Sequence, residues 1–197
     1  NTDEGTDAAA MLSLETKKPS YDVGEKIDVT VPSGGVGRIY VTVEKGDKIL
    51  DQFWVKAESN HTSFSIDATK EMAPNVYVNA MLIQPHAQDE NSLPIRMYGV
   101  IPVSINDAST RIQPVITAPA ALQPEQKFQV KVSEKDGRAM AYTLAVVDEG
   151  LLGLTRFKTP EAWNSFYSKE ALGVRTWDMY KYVMSAQTGK MASLLAI

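Results

Sequence analysis

The segment Tyr142-Thr-Leu-Ala-Val-Val-Asp-Glu-Gly-Leu-Leu-Gly-Leu-Thr155 separates two kinds of chain. Its apolar residues alternate up to Val146 and then close around Gly150 and Gly153, the pattern of a buried strand, a tight turn and a second strand. The aromatic run behind it, Pro160 to Met184, carries helix signals where another strand is due. Everything upstream reads as an ordinary β-sandwich, so the change of pattern here is the informative event.

With 197 residues the chain has room for one or two domains, since domains cluster at roughly 100–150 residues. Hydrophobic residues make up 44%, enough for a folded core, and the net charge is −4 with both signs interspersed. Without a dense Lys/Arg stripe, nucleic acid is not an expected partner. No apolar run reaches about 18 residues, so no membrane insertion by this segment is expected, and no signal-peptide pattern is present. There is no cysteine, which excludes disulfides, thiolate metal sites and a cysteine nucleophile. The two histidines, His61 and His86, lack a paired acid or a metal-ligand spacing, so no catalytic residue, metal ligand or cofactor is expected. Residues 1–10 are small and polar and read as a flexible tail, and a chain opening on Asn1 reads as a piece of something longer.

From Met11 to Ile105 the apolar residues alternate. Ile27, Val29 and Val31 oppose Asp28 and Thr30; Ile39, Val41 and Val43 oppose Tyr40, Thr42 and Glu44, which is the period of half-buried strands. Lys45-Gly46-Asp47-Lys48 is the hairpin turn between two of them. With strands predicted at 12–16, 26–31, 38–44, 52–56, 62–67, 76–84 and 97–105, the total is about seven, the number an immunoglobulin-sized sandwich needs. The polar stretch 84–94 is a loop, and 107–110 has linker composition.

The second half begins as a copy of the first. Val23-Gly-Glu-Lys-Ile-Asp-Val-Thr-Val31 aligns with Pro124-Glu-Gln-Lys-Phe-Gln-Val-Lys-Val132, and Val43-Glu-Lys-Gly46 with Val147-Asp-Glu-Gly150. The repeat predicts strands at 113–117, 127–133, 139–147 and 151–155, with Asp148-Glu149-Gly150 as a structural turn. Then Thr159-Pro160-Glu161 signals a short helix to about Ser168, Gly173 breaks it, and Thr176 caps another with Trp177, Tyr180 and Met184 on one face. The expected organisation is therefore all-β: tandem antiparallel sandwiches of macroglobulin or fibronectin-III type, the second incomplete. Its parts are 1–10 tail, 11–106 first sandwich, 107–110 linker, 111–155 first half of a second sandwich, 156–189 short helical segment and 190–197 exit from the fold.

Three constellations have a chemical and a plain reading. Asp148 and Glu149 are adjacent carboxylates, but neighbours in a strand face opposite ways and turns favour polar residues, so turn structure is preferred. Trp163, Phe166, Tyr167, Trp177, Tyr180 and Tyr182 suit a sugar-stacking platform; their helical spacing favours packing instead. A carbohydrate-binding or adhesive module is the alternative they leave. Arg175 beside Trp177 reads as an interface or stacking contact rather than an anion site.

Val146-Val-Asp-Glu-Gly-Leu-Leu152, Phe157-Lys-Thr-Pro160 and Ala171-Leu-Gly-Val-Arg-Thr-Trp-Asp-Met-Tyr180 together resemble the bacterial alpha-2-macroglobulins, in the macroglobulin domain that leads into the bait region. Under this resemblance Asp148, Glu149, Gly150, Gly173, Arg175, Trp177 and Tyr180 are structural signature residues. It implies a non-enzymatic, cell-envelope protein, periplasmic and anchored through a lipidated N-terminus outside this segment. A bait segment in such a protein is cut by an attacking protease, which is then trapped. Its implied partners are target proteases and neighbouring macroglobulin domains of a longer chain. Lys190, Met191, Leu194 and Leu195 are then candidate bait cleavage positions. A Cys-Leu-Glu-Gln thioester, found in many members, cannot lie in a cysteine-free chain.

Overall fold

The computed structural model describes residues 10–84 and 96–177. Strands β1 (Ala10–Met11), β2 (Glu15–Thr16), β3 (Ser20–Asp22), β4 (Lys26–Gly34), β5 (Arg38–Lys45), β6 (Lys48–Lys56), β7 (Ser59–Asp67), β8 (Asn75–Ile83) and β9 (Arg96–Asn106) form two sheets. One has the order β1-β9-β8-β5-β6, with β3 also on β9; the other has the order β2-β4-β7. The alternation seen in the sequence places Ile27, Val29 and Val31 of β4 in one core with Ile39, Val41 and Val43 of β5 and Val76, Val78, Ala80 and Leu82 of β8, all fully buried. Each buried Val, Leu or Ile side chain contributes roughly 1.5–3 kcal/mol of apolar burial, which is what holds the two sheets together. Six of the seven strands predicted before residue 106 form over most of their expected length; of the one expected at 12–16, only Glu15–Thr16 pairs as a strand.

Two features of the edge escape the alternation pattern. β1 and β3 both run parallel to β9, at its two ends. Between them the chain leaves this sheet, buries Leu12 and Leu14, and lends β2 to the other sheet. The crossing strand lies so close that a Cβ on Gly99 of β9 would sit 2.2 Å from the Leu12 carbonyl oxygen. Gly46 in the β5–β6 turn has φ +55, the left-handed conformation that the sequence predicts there.

Past β9 the chain makes a short 3-10 turn, Ala108–Thr110, and then the antiparallel pair β10 (Pro114–Thr117) and β11 (Lys131–Glu134). The strands expected at 139–147 and 151–155 do not form. Residues 139–147 carry no ladder, and Glu149–Thr155 is a helix, α1. A strand requires a neighbour to take its backbone hydrogen bonds, and no described strand lies beside this one; Tyr142, Leu144 and Val146 are about half exposed. Asp148 is not a turn residue but the N-cap of α1, its Oδ1 accepting from the amides of Gly150 (2.9 Å) and Leu151 (3.4 Å). The second short helix, α2 (Ala162–Phe166), falls inside the predicted span but is shorter, and Glu161 rather than Thr159 precedes it without a side-chain cap. His86, Tyr180, Met184 and the helix expected from Thr176 lie outside the described residues. Among those described, no helix is long and apolar enough to cross a membrane.

Candidate functional site

Thr42 and Glu44 stand on the outer face of β5, away from the core, yet Thr42 is only 6% and Glu44 only 2% exposed. Their side chains meet in a 2.6 Å hydrogen bond from the Thr42 hydroxyl to the Glu44 carboxylate. Polar groups on an outward face should be wet. Residues 174–177 cover this region, lining a cavity of about 270 Å3 together with Thr42, Glu44 and Asn79. The end of the described chain thus returns across the first sandwich as a strap.

The strap is gripped just before that cavity. Asn75, at the start of β8 and 1% exposed, exchanges two hydrogen bonds with the backbone of Glu170: the Glu170 amide donates to Asn75 Oδ1 (2.8 Å) and Asn75 Nδ2 donates to the Glu170 carbonyl (3.1 Å). The Tyr77 hydroxyl donates to the same carbonyl at 3.0 Å. Lys45 stands 3.7 Å from the Glu170 carboxylate, a half-exposed ion pair that adds little. Three positions on, the Gly173 amide donates to the Gly46 carbonyl at 2.7 Å. A Cβ on Gly173 would lie 2.8 Å from that oxygen. Gly173 is therefore required by close approach to the β5–β6 turn, a different reason from the helix break its sequence position suggests.

A second cluster binds the linker. Glu134, at the end of β11 with its side chain out of solvent, accepts from Arg138 Nη2 (2.9 Å) and from the amides of Asp136 (2.6 Å), Arg138 (3.1 Å) and Gln113 (3.4 Å). The Arg138 guanidinium, followed by these amides, lowers the Glu134 carboxyl to about 2. Arg138 also donates to the carbonyls of Ser109 (3.0 Å) and Arg111 (2.6 Å), and Trp163 Nε1 donates to the Thr110 hydroxyl at 3.1 Å. The Arg111 guanidinium lies 4.3 Å from the centre of the Trp163 ring, which also stacks on Tyr167 at 5.2 Å. Asp107 caps the turn through Ser109. Residues 107–111 form a bonded joint against which Trp163 and Tyr167 pack half-buried, whereas Phe166 and Trp177 of the same aromatic set are 84% and 83% exposed rather than packed.

Of the signature residues, the structure brings Gly173, Arg175 and Trp177 onto the strap, with Trp177 left 83% exposed. Asp148, Glu149 and Gly150 form the start of α1, where Asp148 is occupied by its capping bonds. Tyr180, Lys190, Met191, Leu194 and Leu195 lie outside the described residues. No group of His, Asp or Glu among the described residues is placed to hold a metal ion. Asn75, Tyr77, Glu134 and Arg138 are the residues that sequence reasoning misses, because their partners are remote or backbone.

The family model described as the alpha-2-macroglobulin bait region domain matches residues 12–154. Alpha-2-macroglobulin of Escherichia coli strain K12 is 26% identical over 190 residues, 93% of this chain, and that of Xylella fastidiosa strain 9a5c is 28% identical over 181 residues, 90% of this chain. The chain spans 11% of the length of each. Among solved structures, the native conformation of E. coli alpha-2-macroglobulin aligns with 83% of the chain at 22% identity and a TM-score of 0.49, over 11% of its own length. The match over residues 12–154, which runs through the first sandwich and the joint, shows that the chain belongs to the alpha-2-macroglobulin bait region domain family.

Proposed function

We propose that this chain is a non-catalytic part of a protease-trapping inhibitor, supplying structural domains next to a segment that target proteases cut. The bait region domain match over residues 12–154 is the observation that supports this reading. In it, residues 11–106 are one macroglobulin-like sandwich, 107–110 the joint, 111–155 the first part of a second unit, 156–189 the short helical segment and 190–197 the start of the bait. The half-exposed Tyr142, Leu144 and Val146 then present a face that neighbouring domains of a longer chain cover. Lys190 would serve trypsin-like proteases, and Met191, Leu194 and Leu195 those that prefer apolar side chains. The protein would work in the periplasm or cell envelope, held by a lipidated N-terminus outside this segment.

Challenging the full-length protein with trypsin-like and elastase-like proteases tests the proposal. Early cuts should concentrate beyond residue 177, and the cut protein should change shape with the protease retained. Cuts scattered through β4–β9, without a change of shape, would reject it.

A further inference from the structure

Residues 111–169 are fastened to the first sandwich at two separate places. One is the joint at 107–111, held by Arg138 and Trp163. The other is the clasp, where Asn75 and Tyr77 of β8 grip Glu170 and the Gly46 turn receives Gly173. A body held at one place can swing; a second fastening fixes it. The two places differ in what would be needed to open them. The joint contains a carboxylate sealed from solvent among four donors, together with a stacked tryptophan. The clasp consists of neutral hydrogen bonds to an irregular backbone and one weak, half-exposed Lys45–Glu170 ion pair, and beyond it the grip fades. Asn79 Oδ1, in the cavity that residues 174–177 line, is buried without a hydrogen-bond partner, and Trp177 is largely in solvent.

We propose that the clasp of Glu170 and Gly173 on β8 and the β5–β6 turn is a releasable second attachment, whose opening lets the 111–169 region swing on the 107–111 joint. This rests on the inhibitor reading in one respect: cutting the chain downstream of the strap is the event that opens the clasp. In sequence, residues 174–177 join the clasp to the segment that the protease attacks, so a pull on that segment passes through this loosely held stretch to Gly173 and Glu170. Hydrogen bonds of ordinary strength, about a fivefold effect each, are of the right size for a switch of this kind, stable at rest and opened without unfolding the sandwich.

Amide hydrogen exchange on the full-length protein, uncut and after protease challenge, tests the proposal with two variants. Gly173→Val drives a side chain into the Gly46 carbonyl and should raise exchange at 170–173 by about tenfold or more, while β4, β5 and β8 stay protected. Tyr77→Phe removes one hydroxyl without changing shape and should raise it about fivefold. Protease-cut wild type should show the same rise at the same residues. Unchanged exchange in both variants would show that there is no clasp, and a cut wild type as protected at 170–173 as the uncut protein would show a fixed anchor rather than a releasable one; either overturns the proposal. If the wild type is cut only within the sandwich, the inhibitor reading and the trigger fall together, while the two variants still decide whether the clasp exists.

Discussion

Replacing Asn75 by alanine separates the strap from the sandwich that carries it. The side chain is buried, and its amide satisfies both backbone groups of Glu170, a reciprocal pair that also fixes which end of the amide is oxygen and which nitrogen. Asn75→Ala removes both bonds. At about 1 kcal/mol each, the docked strap loses about 2 kcal/mol, a factor of roughly thirty in the ratio of docked to free. The loss is limited, because Glu170 can swing out to water and its carbonyl keeps the Tyr77 hydroxyl at 3.0 Å only while docked. Global stability should therefore fall less than strap protection does. Asn75→Asp sharpens the test: it keeps an acceptor for the Glu170 amide but turns the donor into an acceptor facing the Glu170 carbonyl, so it should perform no better than alanine at neutral pH. Amide exchange at Glu170, read beside a thermal melt, measures both effects. A fall in melting temperature of about 10 °C or more with strap exchange unchanged would mean that Asn75 acts within the sandwich, and the clasp reasoning would be refuted.

Gly99→Ala should release the N-terminal edge, since its Cβ would meet the Leu12 carbonyl at 2.2 Å; a loss on the order of 1–3 kcal/mol, with raised exchange at Leu12, is the expected result of denaturant titration. Glu134 gives the joint an acid sensitivity. Its carboxyl is lowered to about 2 in the folded chain, against about 4.3 when unfolded, so its stabilisation is complete above the unfolded value and is lost as pH falls through about 2. Exchange at 107–111, followed from pH 5 down to 2, should rise more steeply in wild type than in Glu134→Gln, which has no proton to gain and starts from a weaker joint. Equal pH profiles would remove Glu134 from that role.

The sandwich was legible because its signal is local. Ile39, Val41 and Val43, or Val76, Val78, Ala80 and Leu82, announce strands by alternation alone, and Gly46 announces the turn. β3 was not legible, because Ser20–Asp22 is three residues with one buried side chain, Tyr21, and its parallel partner lies far along the chain. The clasp was hidden for a related reason: Glu170 meets Asn75 and Tyr77 across more than ninety residues, and Thr42 and Glu44 are polar residues at outward positions whether covered or not. Sequence reasoning placed Gly173 among the residues that matter but could not supply the Gly46 carbonyl it makes room for.

The misreading at 147–155 shows how a real repeat can mislead. Val43-Glu-Lys-Gly46 and Val147-Asp-Glu-Gly150 match in residue type, but a turn is specified by φ, not by letters. Gly46 has φ +55 and is pinned between β5 and β6, whereas Gly150 has no left-handed φ and donates its amide to Asp148. The difference lies in the neighbours. After Gly46 comes Asp47-Lys-Ile-Leu50, continuing into a strand that finds β5; after Gly150 comes Leu151-Leu-Gly-Leu154, three leucines of good helix propensity behind an aspartate able to cap. With a strand alongside, ladder hydrogen bonds would outweigh that local preference; with none, the helix satisfies the backbone by itself. The alternation of Tyr142, Leu144 and Val146 and the helix of Glu149–Thr155 thus report one physical fact, a segment whose β pattern requires a neighbour. Adding strands of the same longer protein should convert 139–147 into a protected ladder, and amide exchange that leaves these residues as open in the longer chain as in this one would show the pattern to be without structural consequence.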